Sequence, residues 1–479
     1  MIAPMVWAMG PAFVLGLAIA VTGLPRLATR STHGLCVFGY GLVLGPAISS
    51  VVHFVELVVF DRRGPALYAV ESWVLLVLAF VLFLRATRVV AGERTVRPQR
   101  SAAPVFVPLV VVAATLLVFA VGSFLQDVRA HPFGFGDGLA IWSKHAKFLT
   151  GAGASWRNLF SPLNALTHPD YPLLVPAAVA HAWVQLGTDA TAPLWIVHLS
   201  FYLGTVAMLT ASLAHFRGWN VGLLGAVCLL GAGPFEHCAA QFYADVPLSS
   251  YVLGVLVLFA LYGESASKLG LLLMGFLLAS AAWCKNEGWL FVLVFPALQV
   301  VAHSWIRGVR AALRSLTWMA LGGGSVLACL FYFKRFLAPT NDLLTADNLE
   351  QLRARLSDPE RYWSVLRHLG TELLGFGDGL FLVVVGAAFA FGRHRDRTRW
   401  RGFWVVPATL LLMLFGYALV YVATSRVLQW HLQTSASRLL LQLWPGFLFA
   451  LLCFVRDLEP SPAASEREAR ASTGIEPPA

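Results

Sequence analysis

In the stretch HPFGFGDGLAIWSKHAKFL, residues 131–149, one carboxylate and two ammonium groups (Asp137, Lys144 and Lys147) stand at the edge of a long apolar run. Farther along come HPDYP at 168–172 with His168, Asp170 and Tyr171, and QFYADVPLSSY at 241–251 with Asp245. AAWCKNEGWLF at 281–291 carries Lys285 and Glu287, and WHLQTSASRLLLQLWP at 430–445 carries Arg438. Ionisable groups at membrane depth are costly and tend to mark substrate or ion pathways. Cations at a lipid-water boundary suit a phosphate, to which Arg presents a two-pronged fork and Lys a point charge. A carboxylate beside them can take the proton of an attacking hydroxyl. Together the groups would suit transfer of a sugar from a lipid phosphate, with Asp137 the general base, Asp245 orienting a donor or acceptor group, and the cations on the phosphate.

Each group also has a plainer reading. An Asp at the mouth of a helix is commonly an N-cap, a Lys beside a Glu at a turn commonly snorkels, and Arg438 could be an interfacial anchor. Asp137 alone stays open between cap and reactive carboxylate. What favours reactivity is its place in a loop far beyond about 15 residues that carries its own charged and aromatic residues, together with the other groups expected on the same face.

The elements that must position these residues follow from composition. The 479-residue chain is 58% hydrophobic and 13% charged, with a mean hydropathy of +0.70, whereas soluble domains carry about a quarter charged residues. An all-α polytopic membrane protein is expected. A crossing helix needs about 20 apolar residues, which selects thirteen segments: 3–24, 34–60, 66–84, 104–125, 191–214, 218–234, 242–262, 268–284, 287–304, 315–333, 376–392, 402–424 and 438–455. No cleavable signal is expected, since 3–24 lacks a basic leader.

The net charge of +10 reads as topology signal rather than nucleic-acid binding. Lys and Arg cluster in short connections: Arg85, Arg88, Arg94, Arg97 and Arg100, then Arg307, Arg310 and Arg314, then GRHRDRTRWR at 392–401. Short cytoplasmic loops are enriched in such residues. That puts 126–190, the turns at Asp245 and Lys285, the loop 334–375 and the stretch 425–437 together outside. The parity holds only if 171–187 does not cross, so an interfacial helix on the outer surface is expected there, with His181, Trp183 and Gln185 at polar positions. The tail 456–479 reads as disordered and cytoplasmic. The six cysteines (Cys36, Cys228, Cys238, Cys284, Cys329, Cys453) show no paired spacing and read as core residues. The hexapeptide GFGDGL recurs at 375–380 without matching flanks, and Asp378 reads as an N-cap.

DGLAIWSKHAKFL, HPDYPLLVP, YADVPLSSY, CKNEGWLF and WHLQTSASRLLLQLWP, in that order, resemble the motifs of bacterial membrane-embedded glycosyltransferases of the GT-C fold, related to protein mannosyltransferases and aminoarabinose transferases. The resemblance covers roughly 104–455. It implies a GT-C-like catalytic module there and a bacterial inner-membrane protein with an extracytoplasmic active site. It further implies Asp137 as the catalytic Asp of the first outer loop and Asp245 as the acidic residue of the second. The donor would be a polyprenyl-phosphate sugar, the acceptor a glycan, lipid or protein, and the transfer inverting. Lys144, Lys147, His168, Asp170, Tyr171, Lys285, Glu287 and Arg438 would bind substrate.

Two features depart from that pattern. Three helices within 1–103 precede the module, and Gly138 follows Asp137 where protein mannosyltransferases carry a second acidic residue, which disfavours protein O-mannosylation. Some members use a divalent metal; Asp137 with Asp245 could share one, but two carboxylates make a thin site and no obligatory metal is expected. A polysaccharide polymerase or ligase would carry Arg or His in the first large loop. A transporter would show internal repeats or paired broken helices; no repeat is evident, and LGGGS at 321–325 is the strongest expected break.

Overall fold

The computed structural model describes residues 2–60, 64–90, 106–151, 153–263, 267–340, 346–392 and 401–455. Arg94, Arg97, Arg100, most of the basic run at 392–401 and the tail 456–479 lie outside these residues. Among the described residues every regular element is a helix. In chain order these are α1 (Ile2–Gly23), α2 (Arg30–Val59), α3 (Pro65–Val90), α4 (Phe106–Ala130), α5 (Lys144–Leu149) and α6 (Leu174–Leu186). There follow α7 (Ala192–Arg217), α8 (Trp219–Leu230), α9 (Gly233–Ala240), α10 (Asp245–Tyr262), α11 (Lys268–Cys284) and α12 (Gly288–Arg307). The series ends with α13 (Val309–Tyr332), α14 (Ala346–Leu356), α15 (Pro359–Gly375), α16 (Leu380–Phe391), α17 (Val405–Ala423) and α18 (Leu428–Phe454).

Ten described helices are long and apolar enough to cross a membrane, or twelve if two bent pairs each count as one span. The chain is thus a polytopic membrane protein, with fewer full-length spans than the thirteen expected. The segment 218–234 divides into α8 and α9, bent by 61°. The chain leaves helical geometry at Ala232, which is extended (ψ 91°), and Pro234 in the first turn of α9 has no N–H to continue the ladder. The segment 376–392 yields only α16, which meets α15 at 74°; Gly377, Asp378 and Gly379 all take positive φ at that corner. The segment 268–284 is α11, 17 residues long. Hydropathy sums side chains and is blind to a bend.

Helix α6, at 13 residues, spans only about 20 Å at 1.5 Å per residue, short of a bilayer's hydrocarbon thickness. It is, however, no surface helix. Leu174 through Trp183 are all buried, chiefly against α2. His181 and Gln185, expected on a polar face, instead donate to the Glu71 carboxylate at 2.7 and 3.1 Å. The Trp183 indole donates to the Ala190 carbonyl at 2.7 Å.

The LGGGS stretch is likewise no break. Helix α13 runs through it, and a Cβ on Gly322 or Gly275 would overlap backbone of the facing helix at Leu272 or Met319. Small residues at such positions let two membrane helices close to backbone contact.

Helices α1 to α3 share one buried core with the rest. The Tyr40 hydroxyl donates to the Gly254 carbonyl at 2.6 Å, Tyr251 donates to Val43 at 3.3 Å, and Tyr262 donates to Gly23. The centre of that core is α10, nearly every residue of which is buried. The N-terminal end of α10, the C-terminal ends of α4, α11 and α13, the N-terminal ends of α12 and α18, and the segments 131–151 and 153–173 all meet at one end of the bundle. The opposite end holds Arg217 and the α12–α13 turn with Arg307, Arg310 and Arg314.

Candidate active site

The GFGDG loop is built to lie flush on another strand of chain. Gly134 and Gly136 have φ of +80° and +55°, which glycine adopts without strain. A Cβ on Gly138 would overlap the Gln241 carbonyl oxygen, and one on Gly136 would sit 2.6 Å from the Tyr243 hydroxyl. The close approach carries Asp137 to the start of α10. A π-helical turn, Gly138–Ser143, follows, and Asp137 makes no side-chain cap bond to it. Its Oδ2 accepts instead from Arg438 Nη1 at 2.6 Å, across 301 residues of sequence. The second GFGDGL behaves differently. Asp378 has φ of +58°, and the N-cap position of α16 belongs to Gly379, which makes no side-chain cap bond. The expected cap at Asp378 is therefore corrected: a left-handed corner places it one residue too early.

Asp245 opens α10, completely buried. Four donors converge on its carboxylate: Lys285 Nζ at 2.8 Å and Gln442 Nε2 at 2.6 Å on Oδ1, Arg438 Nη2 at 3.0 Å and Nε at 3.2 Å on Oδ2. A carboxylate offers about four acceptor sites, so Asp245 is saturated and organises its neighbours. Lys285 also pairs with Glu287 at 3.0 Å. Burial favours the neutral amine, but Asp245 and Glu287 outweigh it and hold the Lys285 ammonium above its ordinary pKa. Arg438 lies over the Tyr243 ring at 4.4 Å, and Tyr417 donates to Gln442 at 2.8 Å. Asp137 is 40% exposed and Glu287 27%, so the cluster opens toward solvent on that side. Among the described residues, Asp137 Oδ1 takes no hydrogen bond.

A second set adjoins the first. Asp170 accepts from Asn286 Nδ2 at 3.0 Å, and its backbone carbonyl from Lys334 Nζ at 2.6 Å. Tyr171 stacks on His168 at 4.8 Å between centroids and lies 5.8 Å from the Trp142 ring. Burial first, then the Glu287 charge, raises the Tyr171 phenol above its ordinary pKa. His168 Nε2 is 3.4 Å from Arg426.

Eight of the ten candidates thus gather at one end of the bundle: Asp137, His168, Asp170, Tyr171, Asp245, Lys285, Glu287 and Arg438. Lys144 and Lys147 do not join them. Lys144 is exposed, and Lys147 pairs with Asp189 at 2.5 Å on the open surface. Five residues went unread in the sequence: Tyr243, Asn286, Lys334, Tyr417 and Gln442. Gln442 follows Arg438 by one helical turn and Asn286 sits between Lys285 and Glu287, so spacing held a signal for both. Lys334, beside Arg335 at the end of an apolar run, held none.

Among the described residues no group of three or more His, Cys, Asp or Glu is placed to hold a metal ion. Between Asp137 and Asp245 the space where a bridging cation would sit is filled by the Arg438 guanidinium. Comparison with family models, curated proteins and solved structures finds no match.

Proposed function

We propose that this protein is an inverting glycosyltransferase with a GT-C-like module, moving a monosaccharide from a polyprenyl-phosphate donor to a hydroxyl of a glycan, lipid or protein. The observation that carries the reading is a half-exposed carboxylate, Asp137, held by an arginine that a buried carboxylate, Asp245, holds in turn. That is the construction of a positioned general base, since a reacting group needs neighbours that lock it. Asp137 Oδ1 takes the proton of the acceptor hydroxyl. The acceptor oxygen bonds the anomeric carbon from the face opposite the phosphate, and the carbon-oxygen bond to phosphate breaks with its electron pair on the leaving phosphate. Arg438 fixes the orientation of Asp137, and Asp245, with Lys285 and Gln442, positions Arg438.

The arginines at the opposite end support placing this end outside a bacterial inner membrane. The direct test is incubation of the purified protein with a panel of radiolabelled polyprenyl-phosphate monosaccharides. Transfer or hydrolysis of one of them is expected, and turnover falling about 10²- to 10⁴-fold in Asp137→Asn. Unchanged turnover in that variant would remove Asp137 from the chemistry.

One observation favours a second reading, a transporter. The two bent pairs meet, with Gly377 set against the Ala232 backbone at the α8–α9 break, and paired broken helices are a transporter feature. Solute flux in proteoliposomes without sugar transfer would decide for it.

A further inference from the structure

Of the four cations that the sequence offers to a phosphate, Lys144 and Lys147 lie away from the cluster and the other two are already engaged. Arg438 and Lys285 face three carboxylates, Asp137, Asp245 and Glu287. An incoming anion would have to displace one of them, and breaking a buried ion pair costs about 3–5 kcal/mol. A cluster with one more negative than positive group repels a phosphate rather than gathering it.

Lys334 is in a different position. It lies in the part-buried π-helical turn Phe333–Leu337 that ends α13. Its Nζ donates to two neutral oxygens, the Asp170 carbonyl at 2.6 Å and the Asn286 side-chain carbonyl at 2.8 Å. Among the described residues no carboxylate lies within ion-pair distance of it. An ammonium has three N–H donors; two are used, the Phe333 ring lies 5.4 Å from Nζ and the Asp170 charge acts on it from beside, which leaves one N–H with no oxygen partner among the described residues. Exposed Arg335 follows, its guanidinium 5.4 Å from the Phe336 ring centroid. The second observation is local backbone. π-Helical turns make up well under 1% of residues and concentrate at functional sites, yet here one begins directly after Asp137 and another contains Lys334.

We propose that Lys334 is the anion-binding group of this site and takes the phosphoryl group of a phosphate ester. Assigning that ester to a sugar donor rests on the glycosyl-transfer reading; the anion site itself does not. Asn286 joins the two sets of residues: its backbone neighbours Lys285 and Glu287 belong to the carboxylate cluster, while its side chain ties Lys334 to Asp170. The phosphate would therefore sit beside, not within, the Asp137–Arg438–Asp245 cluster.

The test uses the full chain in neutral detergent and two probes, decyl phosphate and inorganic phosphate, with binding followed by calorimetry. Decyl phosphate is expected to bind the wild type, with affinity lost at least tenfold in Lys334→Gln and largely retained in Lys334→Arg. Lys147→Gln should bind as wild type. Preference for decyl phosphate assigns the site to a lipid headgroup; equal affinity for inorganic phosphate assigns it to free phosphate, and either result supports an anion site. Should Lys334→Gln fail to fold, acylation of the wild type resolves the matter: decyl phosphate should protect Lys334, and not Lys147, from an amine-reactive ester read by mass spectrometry. Wild-type affinity in Lys334→Gln, no phosphate binding at all, or equal protection of both lysines would each overturn the proposal. Binding without sugar transfer would sink the transferase and leave this site standing; transfer with an unaltered KM in Lys334→Gln would do the reverse.

Discussion

Two aspartates share one arginine, and they should fail in different ways. Asp245→Asn removes a fully buried charge that accepts from Lys285, Gln442 and the two donors, Nε and Nη2, on one edge of the Arg438 guanidinium. Hydrogen bonds to charged groups contribute about 1.5–3 kcal/mol each, part of which is offset because the variant no longer desolvates a carboxylate. Breaking a buried ion pair by removing one partner costs about 3–5 kcal/mol, and that range is expected here, with Lys285 and Arg438 left close together. Asp137→Asn removes a carboxylate that is 40% exposed and makes one bond to Arg438. Exposed pairs contribute about 0–1 kcal/mol, so its fold should be nearly unchanged while turnover falls about 10²- to 10⁴-fold. Chemical unfolding in mixed micelles, followed by tryptophan fluorescence, measures the first effect, and sugar transfer measures the second. The reasoning is refuted if the two variants lose equal stability, or if Asp245→Asn is as stable as the wild type.

Gly138→Ala would force a methyl group into the Gln241 carbonyl; overpacking of this kind costs about 1–3 kcal/mol, and activity should fall with it because Asp137 is displaced. Lys147→Gln breaks an ion pair whose partners are 61% and 51% exposed, so stability should change by less than about 1 kcal/mol and transfer should stay at the wild-type rate. Burial lowers the His145 pKa to about 4. A base that is neutral in the fold and protonated when unfolded stabilises fully above about pH 6.5 and loses that contribution as pH falls toward about 4. The loss should be about 3 kcal/mol at 1.36 kcal/mol per unit. It should vanish in His145→Gln, as read from melting temperature against pH.

The amino-acid sequence determined the kind of molecule and marked eight of the residues that gather at one end of it, but not Tyr243, Asn286, Lys334, Tyr417 or Gln442 beside them. Apolar runs near the bilayer length require helices because no other local structure satisfies its own backbone in lipid. The alternation of basic and site-bearing connections then put Asp137, Asp245, Lys285 and Arg438 at one end of the bundle. Tertiary structure decided what a count of apolar residues and a list of charges do not contain. Whether a run bends, as at Ala232 and Gly377, depends on backbone dihedrals; whether α6 lies on a surface or inside depends on what packs over it.

The two GFGDGL hexapeptides make the limit plain, because identical residues take a right-handed turn at Asp137 and a left-handed corner at Asp378. Only the approach of Gln241 and Tyr243 in the first case, and the α15–α16 bend in the second, sets that difference. Partnership was decided the same way. By charge type alone Lys147, Lys285 and Lys334 are equivalent cations, while distance makes the first a surface pair, the second a neutralised strut and the third an ammonium hydrogen-bonded to neutral oxygens beside Asp170, since Coulomb energy depends on separation and surroundings that sequence order does not record.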